Sequence, residues 1–161
     1  MSQREKELRN QYKISLFSKL VATGFFSGYI PIAPGTAGSL VAVLIYWVFL
    51  RSNFQILIAL LIFFVLGIFT SSRFEQRDGH DPKIVVVDEI VGMWLSLLFI
   101  EKKILNVFIA FLVFRAMDVI KPPPARGFDR MKGGFGIMMD DVVAGIYANI
   151  LTQVILNLFL K

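Results

Sequence analysis

The chain has 161 residues, of which 56% are hydrophobic and 18% charged, with sixteen Phe and a net charge of +5. A soluble fold of this size has too much surface to hide so large an apolar fraction. Composition therefore excludes a disordered chain, a nucleic-acid-binding module and an ordinary soluble domain, and it favours an integral membrane protein. Cysteine is absent and His80 is the single histidine, so disulfides, thiolate chemistry and any two-imidazole mechanism are excluded by counting.

Residues 1–19 are charged and amphipathic with no long apolar core, which reads as a cytosolic leader rather than a signal peptide. Residues 23–39 (TGFFSGYIPIAPGTAGS) are rich in Gly and Pro and predict a loop. Apolar runs then follow near 37–50, 54–70, 84–100, 104–120 and 142–160. Each reads as a helix, the first being short for a crossing, since a span needs roughly 17–25 residues. The expected fold is all-α: a polytopic transmembrane bundle of about four to five membrane helices in a single domain, with a short amphipathic N-terminal segment.

Charge asymmetry sets the orientation. With the N-terminus in the cytoplasm, Lys and Arg concentrate in the segments facing that side, whereas Arg51, Lys102, Lys103 and Lys161 fall on the other. The acids follow the same map: only Glu101 falls on the outer side. The groups with the most chemistry thus converge on one membrane face.

Four constellations stand out. In Asp78-Gly-His-Asp81-Pro and Asp88-Glu89, two acids enter an apolar run, where ionisable groups are costly and usually functional. They read as divalent-cation ligands; the plainer alternative is snorkelling or pairing with Arg115. Arg115, Asp118 and Lys121 share a helix face ahead of a Pro run. They suit phosphate, with the plainer alternative an ion-pair ladder. Asp129-Arg130 precedes a glycine-rich stretch and Asp140-Asp141, where one Asp would also serve as a helix cap. Pro34-Gly-Thr36 opens a helix, where backbone amides favour an anion. Carboxylates without His or Cys select Mg²⁺, Mn²⁺ or Ca²⁺ over zinc.

In TGFFSGYIPIAPGTAGSL, DPKIVVVDEIVGMW, FRAMDVIKPPP with GFDR, and GGFGIMMDDVVAGI, the chain resembles the bacterial phosphatidylglycerophosphatase A family. Four motifs in family order are far more specific than any one. The resemblance implies a multi-pass protein of the bacterial cytoplasmic (inner) membrane. It also implies Mg²⁺-dependent removal of the terminal phosphate from phosphatidylglycerol phosphate. The positions it carries over are Thr36, Asp81, Asp88, Glu89, Arg115, Asp118, Lys121, Asp129, Asp140 and Asp141. The expected catalytic set is Asp81, Asp88, Glu89, Asp118 and Asp141. Thr36, Arg115, Lys121 and Arg130 are expected on phosphate, and Asp88, Glu89, Asp118, Asp129, Asp140 and Asp141 on the cation. The expected partners are a phospholipid substrate and the bilayer, with no nucleic acid; the oligomeric state stays open. The competing class is a small ion carrier or channel subunit using intramembrane acids, which would need polar groups through the bilayer's depth.

Overall fold

The computed structural model describes residues 13–159. Of the expected N-terminal segment, residues 1–12 lie outside the described residues. Its end forms α1 (Leu16–Ala22), capped by Ser15, whose Oγ accepts from the Ser18 amide. A chain of turns and one 3-10 turn (Ser27–Tyr29) leads to α2 (Pro34–Phe49). Then come α3 (Asn53–Asp78), α4 (Val87–Ser96), α5 (Ile104–Ile120), the short α6 (Ala125–Asp129) and α7 (Gly134–Phe159). The described residues are all-helical, without a strand.

Two helices, α3 and α7, are long and apolar enough to cross a membrane. At 26 residues each they are ~39 Å long. Most of either apolar window faces outward, with Leu61, Phe69 and Leu158 among the exposed side chains. A soluble monomer rarely leaves so large an apolar surface open.

The helix bounds differ from expectation in four places, each for a local reason. First, α2 begins at Pro34, three residues before the expected span, because proline suits a first helical position. Second, α3 runs through the charged Ser71–Asp78 stretch to Gly79; Glu, Gln and Arg are good helix formers, and the break comes only at glycine. Third, the run near 84–100 is not one long helix. Its α4 has 10 residues, ~15 Å, too short to cross a bilayer as a helix, and eight of them are buried inside the bundle. Fourth, α7 starts at Gly134, eight residues before the expected 142. The expected span near 104–120 is α5.

Close backbone approach fixes how these helices cross. A Cβ on Gly92 of α4 would lie 2.6 Å from the Asp141 carbonyl, and one on Gly145 of α7 would lie 2.5 Å from the Gly92 carbonyl. A Cβ on Gly134 would meet the Ile68 carbonyl at 2.0 Å, so only glycine lets α7 start against α3. There the Gly134 amide donates to Ser72 Oγ at 2.8 Å. Around α4 the core holds Ile90, Met93, Trp94, Leu97, Phe114 and Ala148. Trp94 is fully buried, donates its indole N–H to the Ala42 carbonyl at 2.9 Å, and meets Phe63 edge-on at 5.0 Å. Such an aromatic pair adds about 0.5–1.5 kcal/mol beyond burial.

The end of the bundle away from the acids closes with its own polar contacts. Asn149 Nδ2 donates to the Ser96 and Leu98 carbonyls, satisfying acceptors left over where α4 ends. Lys102 Nζ donates to the Tyr46 and Leu50 carbonyls at the end of α2. Between the two ends lies the apolar core rather than a polar path.

Candidate active site

Five chain segments deliver the acidic and basic side chains to one cavity of about 240 Å³. The N-terminus of α2 contributes Ala33, Pro34 and Gly35; the 79–86 loop contributes Asp81, Lys83 and Val85; α4 contributes Asp88 and Glu89. From the end of α5 come Arg115, Asp118 and Lys121, and from α7 come Asp140 and Asp141. A larger hollow of about 550 Å³ at the opposite end, against Phe99, Asn106 and Gln153, holds only the exposed Glu101–Lys103 ion pair.

At the base of the cavity Asp88, Glu89 and Asp141 each offer a carboxylate oxygen, all three within 4.8 Å of one another. Asp88 Oδ1, Glu89 Oε2 and Asp141 Oδ2 are buried and have no hydrogen-bond partner among the described residues. Buried carboxylates without partners repel one another and are costly to keep. Oxygens at this spacing match the ligand set of one hard cation, which removes both penalties. This donor set therefore fits a divalent ion such as Mg²⁺.

The local fold explains the convergence. Residues 84–86 are not helical, so Asp88 and Glu89 lie in the first turn of α4, where the helix dipole favours negative charge. They are not one or two turns inside a longer helix, as the apolar run suggested. Asp140 and Asp141 are not helix caps either, because α7 begins six residues earlier. They lie in its second turn, facing α4.

Asp118, Asp129 and Asp140 are instead paired with bases. Arg115 Nη1 sits 3.0 Å from Asp118 Oδ2 and donates to Ser39 Oγ at 3.2 Å. Ser39 in turn donates to the Gly35 carbonyl at 2.9 Å, tying the guanidinium to the start of α2. Lys121 leaves the helical path at φ 47° and turns to Asp129 and Asp140, reaching Asp140 Oδ2 at 2.7 Å. Thus the ion-pair ladder, the plainer alternative for α5, exists for Arg115 and Asp118 but stops short of Lys121. Burial alone would lower the Lys121 pKa, but its hydrogen bonds to Asp129 and Asp140 outweigh that and hold the ammonium above its ordinary value. Asp81 is open at the rim by surface, yet neighbouring protein desolvates its carboxyl enough to raise its pKa against the pull of Lys121.

Three residues of the wall, Ala33, Asp81 and Lys121, hold left-handed backbone conformations with φ of 51°, 44° and 47°. Non-glycine residues rarely adopt them, and they gather where the surrounding structure over-determines the chain. The cavity is thus braced by its backbone as well as by its ion pairs.

Not every expected residue arrives. Thr36 is half-buried on the first turn of α2 and does not line the cavity; Arg130 is exposed and does not line it. Asp129 stands behind Lys121 as its partner, and Asp118 and Asp140 face bases rather than joining the three-carboxylate group. Conversely, Lys83, Gly35 and Ser39 matter more than their sequence signals suggested. Lys83 follows Asp81 by two residues in the same motif, and Ser39 lies one helical turn after Gly35, which are the clues available.

Outside the cavity, His80 links three segments. Its Nδ1 lies 2.7 Å from Glu75 Oε1 and its Nε2 lies 2.9 Å from the Asp129 carbonyl. Glu75 Oε2 accepts from the Gly133 amide at 2.5 Å. The hydrogen bond to Glu75, then that to Asp129, raises the His80 pKa.

A family model described as Phosphatidylglycerophosphatase A matches residues 20–156. Among curated proteins, a Bacteroides thetaiotaomicron protein provisionally described as a phosphatidylinositol-3-phosphatase is 42% identical over 87% of this chain and 94% of its own. The phosphatidylglycerophosphatase A of Escherichia coli is 36% identical over 86% of this chain and 83% of its own. That of Haemophilus influenzae is 41% identical over 84% and 88%. No solved structure matches the chain.

Proposed function

The chain belongs to the phosphatidylglycerophosphatase A family, and from that premise we propose that it hydrolyses the terminal phosphate of phosphatidylglycerol phosphate, with Mg²⁺, at the cytoplasmic face of a bacterial inner membrane. The observation that carries this reading is the group of three orphaned carboxylate oxygens from Asp88, Glu89 and Asp141, set beside Arg115 and Lys121. Anionic ligands for a cation and cationic ligands for an anion share one small cavity, as phosphate-monoester hydrolysis requires.

Asp88, Glu89 and Asp141 would hold the cation, which when bound offsets phosphate charge and makes water a stronger nucleophile. Arg115, oriented by Asp118 and Ser39, presents planar donors to the phosphoryl oxygens. Lys121 adds a point charge, and the open amides at the start of α2 add an anion-binding helix terminus. Water forms a new P–O bond while the P–O bond to the lipid glycerol breaks. The water's proton passes to a carboxylate, for which Asp81 is the cavity acid that neither belongs to the cation group nor is ion-paired among the described residues; the departing lipid oxygen takes up a proton. With Arg4, Lys6 and the other basic residues on the same side as the acids, charge bias supports an N-terminus in the cytoplasm and a multi-pass arrangement. The apolar core between the two ends of the bundle weighs against an ion carrier.

The test is phosphate release in mixed micelles with Mg²⁺ or EDTA, for the unaltered chain, Asp88→Asn and Asp118→Asn. Phosphatidylinositol 3-phosphate is run in parallel, because the Bacteroides relative's description names that lipid class. Activity that persists in EDTA, or that survives intact in both variants, rejects the reading. A preference for the inositol lipid redirects the substrate and leaves the site in place.

A further inference from the structure

We propose that the apolar groove between α2 and α5 seats an acyl chain of the phospholipid whose phosphate occupies the acidic cavity. The proposal rests on the lipid-phosphatase reading and adds to it where the tail lies. Leu40, Val43 and Trp47 of α2 and Ile104, Phe108 and Phe111 of α5 line a groove of about 390 Å³ over a floor of buried Val107. The slot exists because its two walls are held by different neighbours, α2 by α4 and α5 by α7, and barely touch each other.

Continuity, length and chemistry select the occupant. The lining positions recur at about one turn along both helices; on α5 the next turn toward the cavity carries Arg115, and on α2 the buried Ser39 directly precedes Leu40. The hydrogen bond from Arg115 Nη1 to Ser39 Oγ ties α5 to α2 on that side, and the same guanidinium lines the cavity. The groove lines α5 from Ile104 to Phe111, and from Ile104 on to the guanidinium-bearing Arg115 the helix runs ~16 Å at 1.5 Å per residue. That is about half of the roughly 30 Å hydrocarbon core, the depth of one leaflet. A slot of carbon leading toward a guanidinium complements a tail ending on a phosphate. By contrast, the exposed face of α3, with Leu57, Leu61 and Phe69, contributes no residue to the cavity.

Two measurements test this. In the first, Val43→Phe and Leu40→Trp narrow the groove, and Ile62→Phe on the outer face of α3 serves as control. Phosphate release is compared for long-chain and six-carbon forms of phosphatidylglycerol phosphate. The ratio of long- to short-chain kcat/KM falls about ten-fold in the groove variants, since contact energy remote from the reacting atoms is what drives the reaction of the longer lipid. The ratio does not change in the control. Equal losses on both lipids, or an unchanged ratio in both groove variants, overturn the groove while leaving the phosphatase reading intact.

In the second, phosphatidylglycerol phosphate with a photoactivatable group midway along one acyl chain is cross-linked to the unaltered chain and to Asp88→Asn, and adducts are located by mass spectrometry. Adducts concentrate in residues 40–47 and 104–111 in both proteins. An even spread over α3 and α7 overturns the proposal. If the unaltered chain releases no phosphate from either lipid, the enzymatic reading fails, and the cross-link map alone then decides the groove.

Discussion

Gly35 and Glu89 are in contact through the one gap that a side chain would close: a Cβ on Gly35 would lie 2.2 Å from Glu89 Oε1. The start of α2 and the first turn of α4 therefore meet only because position 35 has no side chain. Gly35→Ala displaces the Glu89 carboxylate and with it the cation group. Misplacement of that order costs about 10²-fold in rate. Phosphate release should fall by that amount while thermal unfolding moves little, because alanine also favours the helix. Retained activity in Gly35→Ala would show that Glu89 need not hold this position.

Asp88→Asn separates electrostatic strain from function. Three carboxylates share a buried site without partners among the described residues, so removing one charge should raise the melting temperature of the metal-free protein. Mg²⁺ should raise the melting temperature of the unaltered chain by mass action and leave Asp88→Asn nearly unmoved. Activity should fall at least about 10²-fold. Calorimetry with and without EDTA reads the first two effects; a variant that responds to Mg²⁺ like its parent would remove Asp88 from the cation group.

Lys121 neutralises two acids at once, so its loss leaves both exposed to each other. Lys121→Met should destabilise the fold by about 2 kcal/mol, the scale of a hydrogen bond to a charged group. Adding Asp140→Asn should restore part of that. A double-mutant cycle in denaturant measures the coupling, and strict additivity of the two changes would deny the pairing.

His80 gives a pH signature away from the cavity. Its pKa is raised above 6.5, first by Glu75 and then by the Asp129 carbonyl, so the folded state binds the proton more tightly than the unfolded chain. Its contribution is fully present below 6.5 and is lost as pH rises through the elevated folded value. The stability difference between the unaltered chain and His80→Gln should therefore shrink as pH rises from 6.5 through the elevated folded value. Denaturation midpoints across that range check it; a difference that grows with pH reverses the assignment.

Much of this site was legible in the chain because acids inside apolar runs are conspicuous. Asp88, Glu89, Arg115, Asp118 and Asp141 stood out, and the structure brings all five to one cavity. Hydropathy was a poorer guide to where helices begin. It treats Ser71–Asp78 as a break, although the Arg, Glu and Gln there are good helix formers, and it treats residues 84–100 as one span, although the helix occupies only Val87–Ser96. The partners of Lys121 were not legible, since they depend on a left-handed turn at the end of α5. Gly35 and Ser39 act through close approach and a single hydrogen bond, which leave no periodic trace in a sequence.

The enclosure of α4 also has a consequence for biosynthesis. This ten-residue helix carries Asp88 and Glu89 and is shielded by α2, α3 and α7. It is too short to be inserted on its own hydrophobicity, and its most extensive neighbour, α7, is translated after α2, α3 and α5. The two acids thus wait, unsheltered, for nearly half the chain to be translated. The acidic cavity is assembled after synthesis of α7 rather than before it. Nascent chains arrested before Gly134 should remain open to protease around residues 84–100, and become protected only when α7 is released.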